Sequence, residues 1–68
     1  MDDVRGRLAS NLLRLRRAKG LSQEAFADYV GLHRTYLSDI ERKARNPTIE
    51  VVDRLARALE VKLGDLLD

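Results

Sequence analysis

Cysteine is absent from this 68-residue sequence, and so are long apolar runs. Without thiols, the sequence predicts no disulfide, no thiolate metal ligand and no thiol nucleophile. A membrane-spanning helix needs about 18 or more consecutive apolar residues, and no such run is present. The first six residues also lack the apolar core of a signal peptide. We therefore expect a soluble, cytoplasmic protein with no membrane partner.

Side chains suited to catalysis are scarce as well. His33 is the only histidine, and one imidazole by itself builds neither a metal site nor a catalytic triad. A chain of 68 residues has room for one small core, which leaves little volume for a catalytic cleft. We expect a single domain over residues 1–68 that is not an enzyme. We also expect no metal, no cofactor and no small-molecule ligand.

Positive charge is concentrated toward the N-terminal side of the chain. Residues 5–45 carry ten Lys and Arg against four Asp and Glu, whereas residues 46–68 carry three against five. A basic surface suits a phosphate backbone, because neutralising phosphates releases condensed counterions. A merely solvated basic face would have the same composition, so the charge distribution alone does not decide between the two.

Apolar residues recur at helical steps of three and four along the chain. The predicted inward side chains of four helices are, in order, Leu8, Leu12 and Leu15; Phe26, Ala27 and Val30; Leu37 and Ile40; and Ile49, Val52, Leu55, Ala56 and Leu59. Ser22 and Thr48 suit N-caps, Gly20 suits a C-cap, and Gly31 can take positive φ in a tight turn. With a frayed start over residues 1–4 and a short helix over 61–67, the pattern predicts an all-α fold of five helices.

A set of residues between positions 16 and 47 matches a known motif in register: Arg16; Leu21, Ser22, Gln23 and Glu24; Phe26, Ala27 and Gly31; Ser38, Ile40, Glu41 and Arg42; Asn46 and Pro47. On these residues the chain resembles the Cro/C1-type (XRE-type) helix-turn-helix family of DNA-binding proteins. The resemblance implies a compact lambda-repressor-like domain with its helix-turn-helix at about residues 22–42. Residues 34–42 also resemble the controller proteins of restriction–modification systems, which regulate their own promoters and that of the endonuclease.

Two residue roles follow from the family resemblance. The family pairs an arginine of the first helix with a glutamate of the third, which implies a partly buried ion pair between Arg16 and Glu41. A solvent-facing Arg16 is the alternative. The family position matched by Gln23 often bonds a DNA phosphate beside the N-terminus of the second helix. The alternative is an ordinary surface glutamine.

The third helix carries the predicted DNA-reading surface. With its apolar stripe inward, its outward and flanking side chains are Arg34, Thr35, Tyr36, Ser38, Asp39 and Arg42. An arginine fork reads guanine, a threonine methyl meets the thymine methyl, and hydroxyls bond base edges or phosphates. We predict base reading by Arg34, Thr35, Ser38 and Asp39, and backbone contacts by Gln23, Tyr36, Arg42, Lys43 and Arg45. Asp39 could accept from a cytosine amino group or hold Arg42 or Lys43 in place.

Two positions depart from the family pattern. His33 stands where the family often has a Ser or Thr helix cap, so either the cap is lost or the ring lies near DNA. Lys43 stands where the family commonly has glycine, and a residue other than glycine is disfavoured at positive φ. Either the third helix runs on by part of a turn, or Lys43 accepts the strain.

The C-terminal leucines suggest self-association. Leu63, Leu66 and Leu67 are predicted to form an apolar patch that a second copy covers, the alternative being that they complete the monomer core. We predict a transcriptional regulator that binds a near-palindromic operator on double-stranded DNA as a homodimer. By resemblance it is an autoregulatory controller of a restriction–modification operon, and activation and repression are both open. The alternative is an antitoxin-type module that binds a toxin protein.

Overall fold

The computed structural model describes residues 3–68, which form five α-helices and no β-strand. In chain order they are α1 (Val4–Ala18), α2 (Gln23–Val30), α3 (Arg34–Glu41), α4 (Ile49–Leu59) and α5 (Leu63–Leu67). The predicted all-α, five-helix architecture is confirmed. Among the described residues, no helix has both the length and the apolar character needed to cross a membrane.

One apolar core joins all five helices. Its fully buried large side chains are Leu12, Phe26, Leu37, Ile40, Leu55, Leu59 and Leu66. Helix α1 packs on α3 and α5, and α2 packs on α3 and α4. Helix α3 therefore has apolar partners on two sides, and its opposite face remains at the surface.

The predicted capping residues lie at the helix ends where the sequence placed them. The Ser22 hydroxyl accepts from the N–H of Ala25 at 3.1 Å, and the Thr48 hydroxyl accepts from that of Val51 at 3.2 Å. Gly20 adopts φ +72° immediately after the cap of α1, a left-handed conformation that costs glycine little. These local features set the end of α1 and the starts of α2 and α4.

Two details of the predicted helices are wrong. The frayed start over residues 1–4 lies outside the described residues at positions 1 and 2, and Val4 already belongs to α1. Ile49 is 56 % exposed; it is the first residue of α4, and helical side chains lean toward the N-terminus, so its side chain extends past the packed part of the helix.

The short helix α5 is held by side chains of α1. Arg7 Nε donates to the Leu67 carbonyl at 2.7 Å, and Asn11 Nδ2 donates to the Leu66 carbonyl at 3.0 Å. A helix of five residues is far below the length that is stable alone. These bonds, together with the buried Leu66, keep α5 folded against α1.

The C-terminus of α4 is linked to that of α1. Lys19 Nζ donates to Glu60 Oε1 at 2.8 Å, and this hydrogen bond, with the ammonium charge, lowers the pKa of the Glu60 carboxyl. Glu60 has φ +60°, so α4 ends on a left-handed residue that is not glycine.

Candidate nucleic-acid interface

The turn between α2 and α3 sets the direction of the exposed helix. Gly31 adopts φ +80°, and the N–H groups of Gly31 and Leu32 both donate to the Ala27 carbonyl at 2.9 Å. Arg54 of α4 donates to the Val30 carbonyl at 2.7 Å. The turn is thus held by its own backbone hydrogen bonds and by the side chain of Arg54. The sequence analysis did not predict this role for Arg54.

The predicted ion pair between α1 and α3 is present in the structure. Arg16 donates to both carboxylate oxygens of Glu41, from Nε at 2.7 Å and from Nη2 at 3.0 Å. The two side chains are only 7 % and 4 % exposed. Arg16 Nη1 also donates to the Leu21 carbonyl at 2.7 Å, so the guanidinium anchors the end of α3 and the loop before α2 together.

Gln23 belongs to the same network. Its Nε2 donates to Glu41 Oε1 at 2.9 Å, and the residue is half-buried at the start of α2. An amide nitrogen has two hydrogens, so one N–H remains for an outside acceptor. The ion pair therefore holds the Gln23 side chain in one orientation. The bond of Gln23 to Glu41 was not predicted from the sequence.

A shallow depression of about 260 Å³ lies beside α3. Six residues predicted to contact DNA line it: Gln23, Arg34, Thr35, Ser38, Asp39 and Arg42. They come from one face of α3, from Arg42 directly after that helix, and from the first residue of α2. The structure therefore brings all four predicted base-reading residues to one surface, next to two of the predicted backbone contacts.

Asp39 interacts with two arginines. Arg42 Nη2 lies 2.5 Å from Asp39 Oδ1, and Arg45 Nη2 lies 3.5 Å from Oδ2. The Asp39 side chain is 18 % exposed. Of the two roles left open, this geometry corresponds to the orienting one, with Arg45 rather than Lys43 as the second partner.

Tyr36 and Arg45 form a further contact at the edge of this surface. The guanidinium carbon of Arg45 lies 4.8 Å from the centre of the Tyr36 ring, within the range of a cation–π interaction. Together with Asp39, the ring limits the directions that Arg45 can take. Residue spacing does not predict this contact, because Tyr36 belongs to α3 and Arg45 to the loop that follows it.

Lys43 takes the strained conformation that was one of its two predicted alternatives. Helix α3 ends at Glu41, and Lys43 adopts φ +63°. Its N–H donates to the Ile40 carbonyl at 3.1 Å, and the N–H of Ala44 donates to the Asp39 carbonyl at 2.8 Å. This pair of bonds is the Schellman arrangement, in which the left-handed position normally holds glycine. The other alternative, a longer third helix, is wrong.

His33 replaces the usual oxygen cap with a ring nitrogen. Its Nδ1 accepts from the N–H of Thr35 at 3.2 Å at the start of α3. The cap that the sequence left open is therefore present, made by the imidazole.

The three leucines of the predicted dimer interface do not share one environment. Leu66 is 0 % exposed. The prediction that Leu66 lies in the dimer interface is wrong, because the contacts of α5 with α1 and α4 already enclose this side chain within one protomer. Leu63 and Leu67 are half-buried and pack against the rim of the core. For these two, contact with a second copy stays a prediction.

An exposed polar helix following a tight turn, with cations at its end and a second helix N-terminus beside it, defines a DNA-binding helix-turn-helix protein. The Helix-turn-helix family model matches residues 12–66, and the chain belongs to this family of transcriptional regulators. The predicted family resemblance is confirmed.

Sequence relatives and solved structures agree with this assignment. The chain is 43 % identical to Control protein C.SmaI of Serratia marcescens over 65 residues, which are 96 % of this chain and 77 % of that protein. The restriction–modification controller protein C.AhdI from Aeromonas hydrophila superimposes with a TM-score of 0.86 at 39 % identity, covering 91 % of this chain and 94 % of that one. SinR, a master regulator for biofilm formation solved in complex with DNA, gives 0.85 at 32 % identity, covering 90 % and 98 %.

Proposed function

We propose that this regulator binds a specific double-stranded DNA operator as a homodimer, with α3 of each copy in a major groove. The observation that carries the proposal is the surface of α3, where Arg34, Thr35 and Ser38 lie side by side with Gln23 at the surface depression. An α-helix fits the major groove of B-DNA. These side chains offer an arginine fork that can bond guanine, a threonine methyl group and a serine hydroxyl.

The backbone contacts form a border around that surface. The N-terminus of α2 presents its first N–H groups beside Gln23, where a phosphate is favoured by the helix dipole. At the other end of α3, Arg42, Lys43 and Arg45 are exposed, and Asp39 and the Tyr36 ring orient the two arginines. Such contacts set the register of the protein on the duplex, so that the base-reading residues meet the right base pairs.

A two-fold dimer suits the dimensions of the protomer. The described residues extend over 33 × 22 × 20 Å, and half-sites one helical turn apart are separated by about 34 Å. Two adjoining copies could therefore place their α3 helices in successive major grooves of a near-palindromic site. Leu63 and Leu67 are the apolar side chains offered for the contact between copies.

The biological role proposed for this binding is an autoregulatory controller of a restriction–modification operon. It is supported by the similarity to C.SmaI and C.AhdI, which are described as control proteins. Dimerisation coupled to DNA binding would make operator occupancy rise steeply with protein concentration, which suits a regulator of its own gene. Adjacent methyltransferase and endonuclease genes would support this role, whereas an adjacent toxin gene would favour the antitoxin alternative.

Fluorescence anisotropy tests the proposal directly. The protein is titrated onto its own upstream DNA and onto a scrambled duplex of equal length, over a series of salt concentrations. We expect a preference of about a thousandfold or more for the upstream DNA that persists as salt rises. Equal and steeply salt-sensitive binding to both duplexes would refute sequence-specific recognition of the upstream DNA, and the next experiment would be a search for a protein partner.

A further inference from the structure

We propose that neutral His33 is a positioning residue for base recognition, because its ring nitrogen caps α3 and fixes the turn that carries Arg34 and Thr35. The inference rests on the proposed DNA binding by α3. It adds that acid should weaken sequence discrimination through this one side chain.

The hydrogen bond defines the state of the ring. His33 Nδ1 lies 3.2 Å from the backbone nitrogen of Thr35 and accepts its hydrogen. A ring nitrogen accepts only when it carries no proton, so the neutral ring must hold its hydrogen on Nε2. Protonation places a second N–H at Nδ1, facing the N–H of Thr35. The acceptor is then lost, and the helix loses its cap.

The cap of α3 differs in chemistry from the caps of its neighbours. Ser22 and Thr48 cap α2 and α4 with hydroxyl oxygens, which accept at any pH near neutral. Among the helices of residues 3–68, α3 is the one capped by an imidazole. It has only eight residues, so its first turn is a large part of the surface that would enter the groove.

Charged residues flank the turn that carries His33. The N-terminus of α3 carries the positive end of the helix dipole, and Arg34 follows directly. From α4, Arg54 reaches the carbonyls of Val30 and Gly31 in the turn before His33. On α2, the carboxylate of Asp28 forms no ion pair with the ring, and within residues 3–68 neither does any other. An imidazolium here gains no ion-pair partner and loses its hydrogen bond to Thr35.

Loss of the cap acts on recognition through Arg34 and Thr35. Thr35 supplies the capped N–H, and both residues belong to the predicted base-reading surface. When the first turn frays, these two side chains must be ordered at the moment of binding, which weakens specific binding. Phosphate contacts at the far end of α3 do not depend on that turn. Acid should therefore reduce binding to the operator more than binding to unrelated DNA.

The composition of the chain makes the test clean. It has one histidine and no cysteine, and histidine is the side chain whose charge changes between about pH 5 and pH 8. Anisotropy titrations on the upstream duplex and the scrambled duplex are run from pH 7.5 to pH 5.5 at constant salt. The protein is compared with His33→Ser, which keeps an N-cap oxygen that does not titrate, and with His33→Ala, which has no cap.

For the protein itself, we expect the ratio of specific to non-specific affinity to fall about three- to tenfold on acidification, the range that loss of one N-cap implies. His33→Ser should keep a high ratio across the range, and His33→Ala should have a low ratio throughout. In amide NMR spectra, the Thr35 N–H resonance should move with the titration of the His33 ring. The α-amino group is common to all three proteins, so the comparison removes its effect.

Two results would overturn the inference. One is a pH profile of the affinity ratio that matches that of His33→Ser. The other is a parallel rise in affinity for both duplexes in acid, which would mean that the imidazolium binds phosphate. Failure of the proposed function looks different, because the protein and His33→Ser would then show no preference for the upstream DNA even at pH 7.5. The positioning role would fall with it, and the Thr35 resonance would still report whether His33 caps the helix.

Discussion

Removing the Glu41 carboxylate should destabilise the fold severely. In Glu41→Ala, Arg16 loses acceptors at 2.7 Å and 3.0 Å and keeps only the Leu21 carbonyl. Both partners are almost fully buried, with side chains 7 % and 4 % exposed, so water cannot replace the lost acceptors without opening the structure. Leaving one charge of a buried pair uncompensated costs about 3–5 kcal/mol. Gln23 also loses the acceptor for its amide.

That cost is large beside the total stability of so small a protein. At about 0.05–0.15 kcal/mol per residue, a chain of 68 residues has roughly 3–10 kcal/mol of unfolding free energy. Each kcal/mol corresponds to about 4–8 °C in Tm for a domain of this size. The variant should therefore lose at least about 12 °C, and it would not fold if the total stability is smaller than the cost of about 3–5 kcal/mol.

Urea denaturation followed by circular dichroism at a fixed protein concentration measures this effect. Asp28→Ala is the control, because it removes an exposed carboxylate that forms no ion pair within residues 3–68; it should change stability by no more than about 0.5 kcal/mol. The double variant Arg16→Met/Glu41→Leu should recover much of the loss, since an apolar pair of similar volume leaves no buried charge. If Glu41→Ala and Asp28→Ala had the same midpoint, the reasoning would be refuted.

Three further variants test the proposed DNA and dimer contacts. Arg34→Ala should weaken operator binding by about 1–3 kcal/mol and relax preference at one base pair, whereas Arg45→Ala should weaken all sequences alike; an equal loss of Arg34→Ala on operator and scrambled DNA would contradict its role. Lys43→Gly should raise the free energy of unfolding by about 1 kcal/mol and reduce the magnitude of the salt slope of DNA binding by about one, and a lower Tm would count against the strain argument. Leu63→Lys should shift sedimentation from dimer to monomer while the helical circular dichroism is kept, and an unchanged dimer would place the interface elsewhere.

The helices could be predicted because their signals are local. Ser22 and Thr48 each bond an N–H three residues ahead, and Gly31 takes the left-handed turn that its lack of a side chain permits. Apolar spacing then assigned the inward faces, with an error at Ile49, where the fold covers less of the stripe than the pattern implied. Helices can be predicted from such local signals without knowing which helices pack against each other.

The contacts that orient the candidate interface could not be predicted in the same way. The bonds of Gln23 to Glu41 and of Asp39 to Arg45 join different elements, so they depend on the final packing. Residue spacing could not choose between the two paths at Lys43 either. That choice follows from the bonds made by the N–H groups of Lys43 and Ala44 to the last turn of α3. The Arg16–Glu41 pair was foreseen only through the family resemblance.

The two departures from the family pattern lie at opposite ends of α3, and both give up stability. A lysine at φ +63° is strained where glycine would not be, and an imidazole cap is lost on protonation, whereas a hydroxyl cap is not. A helix of eight residues cannot offset this by its own propensity. Its position is secured elsewhere, by the buried Leu37 and Ile40 and by the pairing of Glu41, its last residue, with Arg16. Because these buried contacts hold α3 in place, His33 and Lys43 at its two ends do not need to be the most stabilising residues for a helix terminus.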